Sequence, residues 1–221
     1  MKLAHPLIAE FFGTALLLAV VVGSGIMGER LGSGNQALIL LVNSTATGVG
    51  LVALVLAFAP LSGAHFNPVV SLMLAARGDL SWRALLGYVL AQCLGAVAGV
   101  IATHAMFGLP LLETAVKPRP GFNLMWSEFV ATVGLLFVIH RVSRSRPEAV
   151  AYAVGCYIAA AYWFTSSTSF ANPAVTLARG LTDSFTGIRP VDEPGFIAAQ
   201  LLAAALMVLG LRATVSRPAR S

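Results

Sequence analysis

Asn67 and Asn172 are the side chains best suited to chemistry in this sequence, and the chemistry is recognition through hydrogen bonds. Each precedes a proline, in the runs SGAHFNPVV and TSFANPAV, and each Asn-Pro interrupts very apolar sequence. Proline is tolerated in the first helical turn, where its missing N–H removes no bond, and Asn is a favoured cap just before it. Both pairs therefore predict the start of a short helix of roughly three turns. Two such helices meeting end to end would set two amide donors beside two positive helix ends. That arrangement orients the oxygen of a water or a hydroxyl and repels cations, hydronium included. Nothing in the chain is arranged for making or breaking bonds: it has no paired carboxylates, no nucleophile–base set, no phosphate loop and no zinc-type Cys/His cluster. No enzyme, catalytic residue, cofactor or bound metal is expected.

The two Asn-Pro pairs sit at matching points of two halves. Glu10 in AEFFGT, Asn67-Pro68 and Gln92 in AQCLGA recur in order as Glu128 in SEFVAT, Asn172-Pro173 and Gln200 in AQLLAA. The offsets are 118, 105 and 108 residues. A repeat of that size is a duplicated half, not a solenoid period.

These motifs need elements to hold them. With 57% hydrophobic and 10% charged residues and a mean hydropathy of +0.83, the chain is far from a soluble domain. A membrane span takes about 20 apolar residues. Six stretches qualify, at about 6–28, 36–60, 82–107, 122–141, 147–166 and 195–213. The first is read as an uncleaved helix, since its apolar run is long and contains Glu10. The segments near 67–77 and 172–181 are too short to span. The expected fold is an all-α membrane protein of six transmembrane helices and two half-helices. It is one domain over 1–221, with halves 1–107 and 122–213. Three spans per half, an odd number, turn the second copy upside down and bring both Asn-Pro ends to the midplane. Residues 62–66 and 167–171 then lead into the half-helices as non-helical backbone, tolerated at that depth only against water or protein.

Positive charge sets the orientation. Lys2, Arg77, Arg83, Arg141, Arg144, Arg146, Arg212, Arg217 and Arg220 fall on one side; Arg30, Lys117, Arg119, Arg179 and Arg189 fall on the other. The excess predicts both termini in the cytoplasm. It also accounts for a net charge of +5, so no nucleic-acid partner is expected.

AEFFGT, SGAHFNPVV, the Gln pair and the second Asn-Pro-Ala resemble the major intrinsic proteins, the aquaporins and aquaglyceroporins, over nearly the whole chain. The resemblance implies the aquaporin fold, a homotetramer with one pore per subunit in membrane lipid, and small neutral solutes as cargo. It implies that Asn67, Pro68 and Val69 with Asn172, Pro173 and Ala174 form the pore centre, the two amides donating to a solute oxygen. Two departures stand out: Val69 replaces the usual alanine, and Val175 replaces the arginine that usually follows the second motif. Carried over by spacing, the other filter positions fall on Thr47 and Ser169, and on Ala160 or, with Gly155 as anchor, Tyr162. Taken at Ala160, the set is small and uncharged, so the pore should be wider than in water or glycerol channels and lack their fixed charge. This pattern is similar to aquaporins associated with bacterial arsenic-resistance operons, which implies a bacterial cell membrane and passage of metalloid hydroxides and methylated arsenicals.

The remaining polar residues have plainer readings. Asn43, Thr47 and Gly50 share a face of the second span, lining a pore or bonding between helices. Glu10 and Glu128 suggest proton coupling, but their duplication favours struts that accept N–H bonds from the two half-helix loops. Cys93 and Cys156 read as packing; His65 faces a pore mouth; His5, His104 and His140 read as interfacial. Tyr162-Trp163-Phe164 reads as an aromatic belt, with Tyr162 in the pore as the sharper alternative. A passive channel, a coupled secondary transporter and a fluxless structural protein are the competing classes, and the lack of titratable groups beside the two Asn favours the first.

Overall fold

The computed structural model describes residues 4–215 and folds them into eight α-helices without a strand among the described residues. They are α1 (Ala4–Leu31), α2 (Gln36–Ser62), α3 (Pro68–Arg77), α4 (Trp82–Phe107), α5 (Phe122–Ser145), α6 (Val150–Phe164), α7 (Pro173–Arg179) and α8 (Glu193–Val215). Four of these helices begin at side-chain caps. The Asn35 side chain accepts from Leu38 N, Ser81 from Ala84 N, and Asn67 and Asn172 cap α3 and α7 with proline in the first turn. Lys2, Arg217 and Arg220, used for the orientation, lie outside the described residues.

Five helices, α1, α2, α4, α5 and α8, are long and apolar enough to cross a membrane. The expected span at 147–166 is shorter. Pro147–Ala149 forms a 3₁₀ turn, and α6 has 15 residues, about 22 Å of helix. It stops because Thr165 is extended (φ −114°, ψ 139°), turning the chain inward toward the second Asn-Pro.

Close backbone approach organises the packing, as expected where lipid offers no hydrophobic drive between helices. α1 packs on α2 and α4, α2 on α6, and α5 on α6 and α8. Gly95 and Gly99 of α4 sit against the backbone carbonyls of Phe11 and Ala15, leaving no room for a Cβ. Gly48 and Gly155 do the same for α2 and α6, where a Cβ on Gly48 would stand 2.9 Å from the Gly155 carbonyl oxygen. The short helices α3 and α7 are enclosed, each packed on α4, α8 and the other. Leucines such as Leu41, Leu56, Leu90, Leu94, Leu202 and Leu209 are exposed on the outside.

The connection 108–121 lies along residues 180–189, with Glu113 N donating to Leu181 O, Ala115 N to Gly180 O, and Arg189 N to Lys117 O. It covers the end of α4. His104 is therefore not interfacial: it is fully buried and pairs with the Thr182 hydroxyl at 2.8 Å.

Candidate functional site

Two non-helical segments enter the interior and end at the Asn-Pro pairs. In the first, Ala64 and Phe66 have φ of 50° and 50°; in the second, Ser169 and Ala171 have φ of 50° and 47°. Each left-handed non-glycine residue costs about 1–2 kcal/mol, so something must hold it. Glu10 accepts from His65 N at 2.9 Å and Phe66 N at 2.7 Å; Glu128 accepts from Phe170 N at 2.9 Å and Ala171 N at 2.8 Å. Gln92 and Gln200 each donate to the same carboxylates at 2.7 Å. Ser71 and Thr176, one in each short helix, take a further bond from these amides at 2.9 and 3.0 Å. Both carboxylates are fully buried and saturated by donors, the geometry of a strut.

The segments are tied across the centre. Asn67 Nδ2 donates to Ala171 O at 2.7 Å, and Asn172 Nδ2 donates to Phe66 O at 2.8 Å. Asn67 Oδ1 accepts from Val69 N, and Asn172 Oδ1 from Ala174 N and Val175 N. A primary amide carries two N–H donors. One on each Asn is spent on the opposite loop, and the second is left for whatever occupies the cavity beside it.

That cavity measures about 110 Å³, and Asn67 and Asn172 are on its wall with Thr47, Tyr162, Ser169, Val175 and Arg179. Its other side is apolar, with Leu17, Val21, Leu135, Ile139 and Ile158. A wider cavity of about 530 Å³ adjoins it, sharing Gly63, His65 and Leu74 and ending at Arg77 and Asp79. Pro68, Val69, Pro173 and Ala174 do not line the passage; they are buried behind it as the first turns of α3 and α7. Val70, which stands to Asn67 as Val175 stands to Asn172, does line it.

The filter positions divide. Thr47, Ser169 and Val175 are brought together at the cavity. Ala160 is not: it lies on the exposed face of α6. Tyr162 takes the place, 3% exposed, with its hydroxyl 3.3 Å from Thr47 Oγ1. Two residues along a helix differ by about 200°, so only one of the two can face inward. Asn43 is on the interhelical side, donating to Val21 O and Ser24 Oγ at 2.8 Å, and Gly50 packs on Val20. Cys156 is exposed rather than buried, on the outside of α6, and Cys93 is half-buried.

Nor is the cavity free of fixed charge, as the valine at 175 suggested. Arg179 lines it, 1% exposed, its guanidinium over the Phe170 ring with Cζ 3.3 Å from the centroid. Arg119 covers the same ring at 4.9 Å, and its Nε, Nη1 and Nη2 donate to the carbonyls of Gly187, Ser167 and Phe185. Burial pulls the Arg119 guanidinium down to about 10, so it stays charged at neutral pH. A signal for Arg179 exists in the sequence: it follows Val175 by one helical turn.

Two capped half-helices meeting inside a sheath of membrane helices, with a passage past their ends, define a membrane channel of the aquaporin type. The profile of the major intrinsic proteins matches residues 1–148, and the chain belongs to that family. It is 51% identical to aquaglyceroporin AqpS of Rhizobium meliloti, over 99% of this chain and 93% of that protein. It is 31% identical to the lens fiber major intrinsic protein of Gallus gallus, over 98% and 84%. The X-ray structure of the aquaglyceroporin from Plasmodium falciparum superposes with a TM-score of 0.74 over 94% of each chain, at 21% identity, and shares the fold.

Proposed function

We propose that this protein is a passive channel for small uncharged solutes of water and glycerol size, widened enough at residue 175 to pass metalloid hydroxides and methylated arsenicals. The observation that carries it is the pair of crossed Asn bonds, which leaves one N–H of Asn67 and one of Asn172 at the cavity wall. Val175 beside them removes the bulk of an arginine from that level. Likeness to an aquaglyceroporin along nearly the whole chain supports the glycerol-sized class.

The coupled-transporter reading is weaker, because Glu10 and Glu128 are engaged by backbone and Gln donors away from the cavity wall. We take the halves 1–107 and 122–213 as inverted repeats, supported by bonds that recur at an offset of 105 residues around each Asn-Pro. A homotetramer in a bacterial cell membrane with both termini cytoplasmic completes the proposal, resting on the family resemblance and the charge bias.

The test is solute flux in proteoliposomes with and without an ion gradient. Gradient-independent uptake of glycerol and arsenite supports the channel; accumulation driven by the gradient supports a transporter; no flux supports a structural role.

A further inference from the structure

Val175 leaves the residue after the second Asn-Pro uncharged, yet a guanidinium reaches the same cavity from one turn further along α7. Val175 and Arg179 are four residues apart on one helix face, and both line the cavity with Ser169 and Tyr162. The Arg179 Nε donates to Thr186 O, and its two Nη groups have no hydrogen-bond partner among the described residues. No carboxylate pairs with it: the ion pairs among the described residues are Arg77–Asp79 and Arg189–Asp192. On the same wall the Ser169 hydroxyl is buried and also without a partner. A buried polar group in a folded protein is almost always bonded, so the Ser169 hydroxyl calls for a partner, and the Arg179 Nη donors on the same cavity wall are open to the same one. Arg119, against the same ring, shows the contrast: all its nitrogens are taken by carbonyls, so it is a structural cation.

We propose that Arg179 is the specificity-determining cation of this filter, displaced by one helical turn. Its free Nη donors and the Ser169 hydroxyl bind the oxygens of a solute carrying two or more hydroxyls, and its charge rejects cations despite the valine at 175. Size and charge selection are thereby separated. Residue 175 sets the width, and residue 179 supplies the planar fork that grips paired oxygens. The solute class is small neutral polyhydroxyl molecules, carbon-based or metalloid. This inference rests on the channel reading above and names the residue that discriminates within it.

The experiment compares unmutated protein, Arg179→Gln, Arg179→Lys and the double variant Arg179→Gln/Val175→Arg in proteoliposomes. Glycerol uptake and sodium conductance are measured in the same preparations, with thermal unfolding in detergent as the check on folding. Sodium conductance is expected to rise by about tenfold or more in Arg179→Gln, because a partly desolvated unit charge is removed from the path. It should return to the unmutated level in Arg179→Lys and in the double variant. A folded Arg179→Gln protein with unmutated cation exclusion and an unchanged glycerol-to-water permeability ratio overturns the inference. Should Arg179→Gln fail to fold, Arg179→Lys decides. It keeps the charge but loses the fork, so cation exclusion holds while the glycerol-to-water ratio shifts by about threefold or more; an unchanged ratio overturns the inference. Failure of the channel reading itself shows separately, as absence of glycerol uptake in unmutated protein.

Discussion

The hydroxyl of Thr47 on α2 meets the hydroxyl of Tyr162 on α6 at 3.3 Å on the wall of the central cavity. The contact lies beside the Gly48–Gly155 approach that lets these helices close up. The Tyr162 ring is thus part of the cavity wall at this level. Tyr162→Phe keeps the ring and loses one bond, costing about 1 kcal/mol of stability with solute selectivity retained. Tyr162→Ala removes the ring and should raise uptake of methylated arsenicals relative to water. Stopped-flow water permeability and arsenical uptake in the same vesicles check both.

Asn67→Asp or Asn172→Asp replaces a donating amide with an acceptor-only carboxylate of similar size. The bond from Asn67 to Ala171 O, or from Asn172 to Phe66 O, becomes a repulsion between two oxygens. A negative charge also arrives beside the positive ends of α3 and α7. The expected outcome is weakened cation exclusion and reduced selectivity for neutral solutes, read as ion conductance and glycerol uptake of folded protein. Unchanged values for both would remove these residues from the solute path.

Glu10→Gln and Glu128→Gln keep the shape but replace one accepting oxygen with a donor that faces other donors. Glu10 holds Ser62 Oγ, His65 N, Phe66 N and Gln92 Nε2, whereas Glu128 holds Phe170 N, Ala171 N and Gln200 Nε2. Each substitution should cost on the order of 2–4 kcal/mol, with Glu10→Gln the worse of the two. Thermal unfolding in detergent gives the ranking. Uptake should fall without acquiring or losing any dependence on pH or sodium; a change in coupled uptake would instead favour a transporter.

Val175→Arg sets a second guanidinium one turn from Arg179, in a cavity of about 110 Å³. The passage narrows at Thr47, Tyr162 and Ser169, so uptake of methylated arsenicals should drop sharply while water flux survives better. Val175→Ala should keep or raise bulky-solute uptake. Arsenite and methylarsenical uptake alongside water permeability decides; bulky-solute uptake at the unmutated level in Val175→Arg would place residue 175 away from the constriction.

Local rules made the centre of this protein readable in one dimension. An Asn before a Pro caps a helix through its own neighbours, so Asn67 and Asn172 announce α3 and α7 without reference to the rest of the fold. A carboxylate inside an apolar span must find donors, and its duplication at Glu10 and Glu128 pointed to the duplicated loops that supply them. The helical phase of α6 was not readable in this way. Its residues are apolar on nearly every side, so the pattern does not mark an inner face, and Ala160 turned outward while Tyr162 turned in. Nor could spacing say whether Arg179 reaches water or the cavity. That depended on residues 108–121 and 180–189 folding together beyond α7, where Glu113 N bonds Leu181 O, Arg119 Nε bonds Gly187 O, and Thr186 O accepts from the Arg179 Nε. The same cover buried His104. Sequence by itself determined which groups had to be capped or neutralised, because those demands are met within a few residues or by duplication. Tertiary structure alone decided which side chains face the passage, because facing is set by the packing of helices distant along the chain.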